Sequence, residues 1–178
     1  MKACLFSLVL ALACVRPAVA ADPEVAGGYT FLNNTNASQT FNGWAVSAGA
    51  GLDGAVGLVG EVGSSYTTAN SLGIDVALTE LSFMGGPKVV SHRASAVTPF
   101  VQFLAGGVRI TGSAPTIIGT ISLSQTNVAI QPGGGIDVRL SPRVGLRLQG
   151  DYRMLFVSGG TSPRVRVLVG MVVHGTRS

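Results

Sequence analysis

Cysteine occurs only as Cys4 and Cys14, both within the first twenty residues, so the rest of the chain has no thiol for a disulfide, a metal or a nucleophile. Charge is nearly as scarce: 11% of residues are Asp, Glu, Lys or Arg, against about a quarter in ordinary soluble domains, while 47% are hydrophobic. The basic residues form no run interleaved with aromatics, which argues against a nucleic-acid surface. His92 and His174 are the only histidines, and no ligand cluster at metal spacing is present. A membrane-spanning helix needs about 20 consecutive apolar residues. The N-terminal run falls short of that, being broken by Arg16 and Pro17.

That run reads instead as a secretory signal peptide, residues 1–20. Lys2 supplies the positive start, residues 5–15 the apolar stretch, and Ala18-Val19-Ala20 a small-x-small cleavage site near Ala20. Cys14 follows Ala11-Leu12-Ala13, a poor fit to a lipidation box. The mature chain, residues 21–178, has the length of one domain. Setting aside Lys2 and Arg16 leaves ten basic residues against eight acidic ones, a net charge of about +2.

What is present is alternation with period two between clusters of Gly, Asn, Ser, Thr and Pro, an all-β pattern. In residues 143–154, Arg143, Gly145, Arg147, Gln149, Asp151 and Arg153 share one face, and Val144, Leu146, Leu148, Gly150, Tyr152 and Met154 the other. The pattern returns in residues 164–173, where Arg164 and Arg166 oppose Val165, Val167 and Val169. It returns again in residues 131–140, with Asp137 and Arg139 opposite Ile136 and Val138, and in residues 55–63, where Glu61 opposes Val62. Residues 24–32, 43–52, 75–89 and 97–110 complete a set of eight strands. Asp75 is out of phase with Glu80, and Arg109 is out of phase with Gln102 unless Gly106-Gly107 forms a bulge.

Short turns at Asp53-Gly54 and Ser141-Pro142 alternate with longer stretches at residues 33–42, 64–73, 111–126 and 157–163, with residues 88–96 intermediate. An even-stranded barrel with short periplasmic turns and long outer loops has this rhythm. The four long stretches contain no Asp, Glu, Lys, Arg or His. Alternation alone leaves open which face is outward, since a soluble lipocalin-like barrel would put its grease inside. The charged face is otherwise mostly Gly, Ala, Ser and Gln, which suits a crowded lumen. The opposite face is nearly free of charge, as lipid exposure requires when a midplane Arg or Lys costs about 2–4 kcal/mol.

The segments Leu81-Ser82-Phe83-Met84-Gly85-Gly86-Pro87-Lys88, Thr98-Pro99-Phe100-Val101, Gly133-Gly134-Gly135-Ile136-Asp137-Val138-Arg139-Leu140 and Leu146-Arg147-Leu148-Gln149-Gly150-Asp151-Tyr152-Arg153 resemble the outer-membrane β-barrel domain family. These are the small eight-stranded barrels of the OmpA and OmpX type. The resemblance implies an eight-stranded antiparallel up-and-down transmembrane β-barrel in the outer membrane, with lipid and the barrel assembly machinery as partners. Such barrels end on a terminal aromatic, whereas this chain continues past Val173 through His174-Gly175-Thr176-Arg177-Ser178. Trp44, Tyr29, Phe31, Tyr66, Phe83, Phe103 and Tyr152 are candidate members of the aromatic girdles.

Glu61, Glu80, Asp137 and Asp151 with Arg139, Arg147, Arg153 and Arg166 are expected to project into the lumen, four acids against four bases. An eight-stranded interior is just wide enough for side chains to fill, so such pairs would plug it and serve a structural or interaction role. A narrow path for small or hydrophobic solutes is the alternative. A lipid A-modifying enzyme would need a histidine activating a serine near the outer leaflet, and both histidines fall at periplasmic ends of the strand count. Neither catalytic residues nor a cofactor are expected.

Overall fold

The computed structural model describes residues 21–35, 39–53, 55–71, 74–91, 96–116 and 119–175. The signal segment with its two cysteines, and His92, lie outside the described residues. Eight strands run in chain order: β1 (Ala21–Asn34), β2 (Gln39–Asp53), β3 (Val56–Ser71), β4 (Ile74–Val90), β5 (Val97–Thr116), β6 (Gly119–Arg139), β7 (Val144–Val157) and β8 (Gly160–His174). Each pairs antiparallel with its chain neighbour, and β1 closes on β8 from Glu24↔His174 to Asn34↔Arg164. Closure gives the backbone donors and acceptors inter-strand partners without an edge in the bilayer.

Strict alternation decides the two faces. Along β7, Gly145, Arg147, Gln149, Asp151, Arg153 and Leu155 are buried, while Leu146, Leu148, Tyr152 and Phe156 point out. The barrel exterior is a continuous coat of exposed Val, Leu, Ile, Met and aromatic side chains, including Val46, Leu58, Val101, Ile136, Leu148, Val169 and Met171. A water-soluble barrel inverts this arrangement, so the exterior is a lipid-facing surface. Trp44, Tyr29, Phe31, Tyr66, Phe83, Phe103 and Tyr152 all lie on it, with Tyr29 edge-on to Phe31 at 4.9 Å.

Two expectations need correction. The four long uncharged stretches are not long loops: β1 and β2 continue to Asn34↔Gln39, β3 and β4 to Ser71↔Ile74, β5 and β6 to Thr116↔Gly119, and β7 and β8 to Val157↔Gly160. Where strands leave the bilayer, both faces are wet and the hydropathy alternation that marks a strand disappears. Pairing persists there through uncharged β-compatible residues, as in the Ser113–Ser122 hydroxyl contact at 3.0 Å. The tight turn between β7 and β8 uses Gly159, whose φ of 98° suits glycine.

Nor is there a bulge at Gly106-Gly107. The β4–β5 register holds from Ala77↔Ser113 to Val90↔Phe100, and that of β5–β6 is unbroken. Gln102, Leu104 and Val108 stay inward and Arg109 points out, donating to Ser124 Oγ at 3.1 Å. Arg109 lies near the wet end of β5, where the exterior turns to Ser and Thr, so an outward charge there need not meet hydrocarbon. The side chain of Asp75 lies outside the described residues.

Candidate functional site

Among the described residues, the strands gather charge in the barrel interior. Inward positions recur every second residue, and neighbouring strands lie about 5 Å apart, so charged residues on β3, β4, β7 and β8 converge. At mid-height, Arg166 on β8 bridges two carboxylates. Its Nη1 and Nη2 donate to Glu61 Oε1 and Oε2 at 2.7 and 2.8 Å, and its Nε and Nη2 to Asp151 Oδ2 at 2.9 and 2.6 Å. Gln149 Nε2 donates to both oxygens of Asp151, at 3.1 and 3.0 Å, and Gln131 Nε2 donates to Glu61 Oε1 at 3.3 Å. Every charged group here is at least 96% buried.

Gln131 extends the chain of bonds toward the outer end. Its Oε1 accepts from Arg153 Nε at 2.7 Å, and Arg153 Nη1 donates to Glu80 Oε1 at 2.7 Å. Glu80 in turn pairs with Arg164, whose guanidinium lies over the Phe41 ring at 5.3 Å. A second group occupies the end nearer the termini. Arg147 grips Asp137 bidentately, with Nε and Nη2 at 2.7 Å from Oδ1 and Oδ2, and reaches Glu24 Oε1 at 3.1 Å. Glu24 also pairs with Lys88. Phe100 meets both cations, its ring centroid 4.2 Å from Lys88 Nζ and 4.7 Å from the Arg147 guanidinium carbon.

Glycines make room for this packing. A Cβ on Gly133 would sit 2.0 Å from Asp151 Oδ1, so this position of β6 must stay bare for the carboxylate to lie against it. Beside the ion pairs, Val59, Met84, Leu104, Val108, Ala129 and Leu155 form an apolar cluster inside the barrel. Salt bridges, amides and this cluster all lie on the inward face of the strands.

Of the eight expected lumenal residues, Glu61, Glu80, Asp151, Arg153 and Arg166 meet in the continuous network, and Asp137 and Arg147 pair in the second group. Arg139 does not share their burial. It has the inward parity of Asp137 but is exposed, as the last residue of β6. Glu24, Lys88 and Arg164 belong to the interior and were not among the expected residues. They bring the interior set to five acids, the half-buried Glu24 with Glu61, Glu80, Asp137 and Asp151, against five bases, Lys88, Arg147, Arg153, Arg164 and Arg166. The signal for Arg164 was its shared face with Arg166, and that for Glu24 its parity with the buried Ala26 and Thr30. His174 stands opposite Glu24 at the terminal end of the barrel. Among the described residues, no group of three or more His, Cys, Asp or Glu is arranged to hold a metal ion.

No protein-family model matches the chain, and no curated protein does. Solved structures match it in shape. The attachment invasion locus protein Ail of Yersinia pestis superposes with a TM-score of 0.63 at 14% identity, over 88% of this chain and 100% of that one. A major outer membrane protein from Thermus thermophilus gives 0.67 at 11% identity, over 87% and 100%. The fold is that of the small outer-membrane barrels. Neisserial surface protein A shares it too, with a TM-score of 0.63 at 13% identity over 85% of this chain and 95% of that one. At these identities the likeness concerns architecture alone, and the network inside the barrel is described from this chain's own residues.

Proposed function

We propose that this chain is a non-catalytic outer-membrane barrel with a plugged lumen, acting through its outer surface. The observation that carries this reading is the unbroken series Arg164–Glu80–Arg153–Gln131–Glu61–Arg166–Asp151, which crosses the interior in a chain of ion pairs and charge-assisted hydrogen bonds. Solute passage would require these partners to separate, which would leave buried charges without their counter-ions. The lumen thus supports the barrel, and the strand extensions beyond the bilayer are left to meet other molecules.

Ail has been solved with the heparin analogue sucrose octasulfate. The outer extensions here offer little to a polyanion, because their expected loop stretches are uncharged, Arg164 beside them is buried, and among the described residues Arg109 is the exposed cation near them. Their chemistry of Ser, Thr, Asn and Ile favours a neutral contact surface. Planar-bilayer recording on the refolded full-length chain tests the plug: silence is expected. Steady channels whose conductance changes in Arg147→Ala or Glu61→Gln variants would overturn it in favour of transport. Altered lipid A or phospholipid profiles after overexpression would overturn the non-catalytic reading.

A further inference from the structure

The hairpin of β5 and β6, strands of 20 and 21 residues, reaches beyond its neighbours. On one side β6 pairs with β5 up to Thr116↔Gly119, but on the other its pairing with β7 stops at Val128↔Phe156. Residues 119–127 therefore have a strand on one side and, among the described residues, none on the other. Alternate residues of such a stretch turn their N–H and C=O groups to the open side, a template for another strand. Proteins blunt open edges with Lys, Pro or a bulge. This edge, GTISLSQTN, has neither charge nor proline, and its register with β5 runs without a shift.

Its sequence also reads almost alike from either end. Thr120-Ile121-Ser122-Leu123-Ser124-Gln125-Thr126 is centred on Leu123. Antiparallel pairing of two such edges about that residue sets Leu123 against Leu123, Ser122 against Ser124, Thr120 against Thr126 and Ile121 against Gln125. Ser and Thr then form one row of cross-strand pairs, and Ile, Leu and Gln the other. A two-fold axis at Leu123 generates this antiparallel match, which is the symmetry of an isologous contact between identical chains.

We propose that residues 120–126 form a homotypic docking edge, pairing antiparallel with the same edge of a second copy in a facing membrane. Copies within one membrane all send this hairpin the same way, so their β6 strands share a vertical direction. Copies in two apposed membranes point at each other, and their strands oppose. The edge thus joins surfaces. The inference rests on the interaction role proposed above and names its partner.

The test uses the full-length chain refolded into two populations of phosphatidylcholine vesicles, each with its own dye, scored for co-clustering. Leu123 is 77% exposed, so Leu123→Lys and Leu123→Glu leave the barrel intact, as a heat-dependent gel shift would verify. Wild-type vesicles should cluster together and not with protein-free vesicles. Vesicles with Leu123→Lys alone, or Leu123→Glu alone, should lose at least about 10-fold of the clustering because like charges meet at the axis. Mixing the Lys with the Glu population should restore it, whereas the same pair of charges at the exposed turn residue Ser158 should not. Wild-type vesicles that stay apart, Lys vesicles that cluster undiminished, failure of the mixture to recover, or equal recovery with Ser158 would each overturn the proposal. So would dimers cross-linked within one vesicle without clustering. Failure here with a silent bilayer would leave the plugged barrel standing, and steady channels with intact clustering would remove the plug alone.

Discussion

Replacing Arg166 by Met removes the cation from two carboxylates at once. Four hydrogen bonds are lost, two to Glu61 and two to Asp151, at sites where both acids are nearly out of contact with water. Each acid keeps amide donors, Gln131 for Glu61 and Gln149 for Asp151, so neither is stripped completely. Loss of one partner from a buried pair costs about 3–5 kcal/mol, and the bridging position puts Arg166→Met in the upper part of that range. Adding Asp151→Asn to Arg166→Met should recover most of the loss, because Glu61 and Glu80 then stand against Arg153 and Arg164, with Arg153 Nη2 4.0 Å from Glu61 Oε1. Urea unfolding in lipid vesicles, followed by emission of Trp44, reads both variants, since Trp44 is the only tryptophan and lies on the lipid-facing exterior. A loss below about 1 kcal/mol for the single variant, or a double variant no more stable than the single one, would refute this account of the network.

Three further outcomes follow from particular contacts. Leu148→Arg, flanked on the exterior by Val169 and Ile136, should destabilise the barrel in lipid by about 2–4 kcal/mol. A near-neutral effect in the same urea titration would mean that this face meets water. Gly133→Val should displace the Asp151 carboxylate from β6 and lower stability by about 2–4 kcal/mol, whereas Gly150→Ala, with open space at its Cβ, should change it by less than about 1 kcal/mol. Phe100→Leu should weaken the group near the termini by about 1–2 kcal/mol through loss of two cation–ring contacts, and should have no effect on the coupling between Glu61 and Arg166 in a double-mutant cycle.

The eight strands were legible because half-buried antiparallel strands alternate, and residues 143–154 do so without a break. The same logic gave the inward parity of Glu61, Asp151, Arg153 and Arg166. It fails where the two faces meet the same solvent, which is why residues 64–71 and 119–126 read as loop and fold as strand. Parity also carries no information about height along the barrel axis. Arg139 and Asp137 are indistinguishable by period, yet Asp137 is buried against Arg147 and Arg139 is exposed. Lys88 was hidden for a different reason, lying at the end of a long strand beside Pro87 where a turn was expected. Which acid meets which base depends on stagger between strands, and only the register reveals it.

The central claim, a closed barrel with its apolar face in the outer membrane, is tested most directly by fractionating expressing cells and running the outer-membrane fraction on gels with and without boiling. A band is expected in that fraction that migrates differently once boiled, because the closed barrel resists detergent until heated. Protein found free in the periplasm, with no heat-dependent shift, would contradict it and turn the two faces of every strand around.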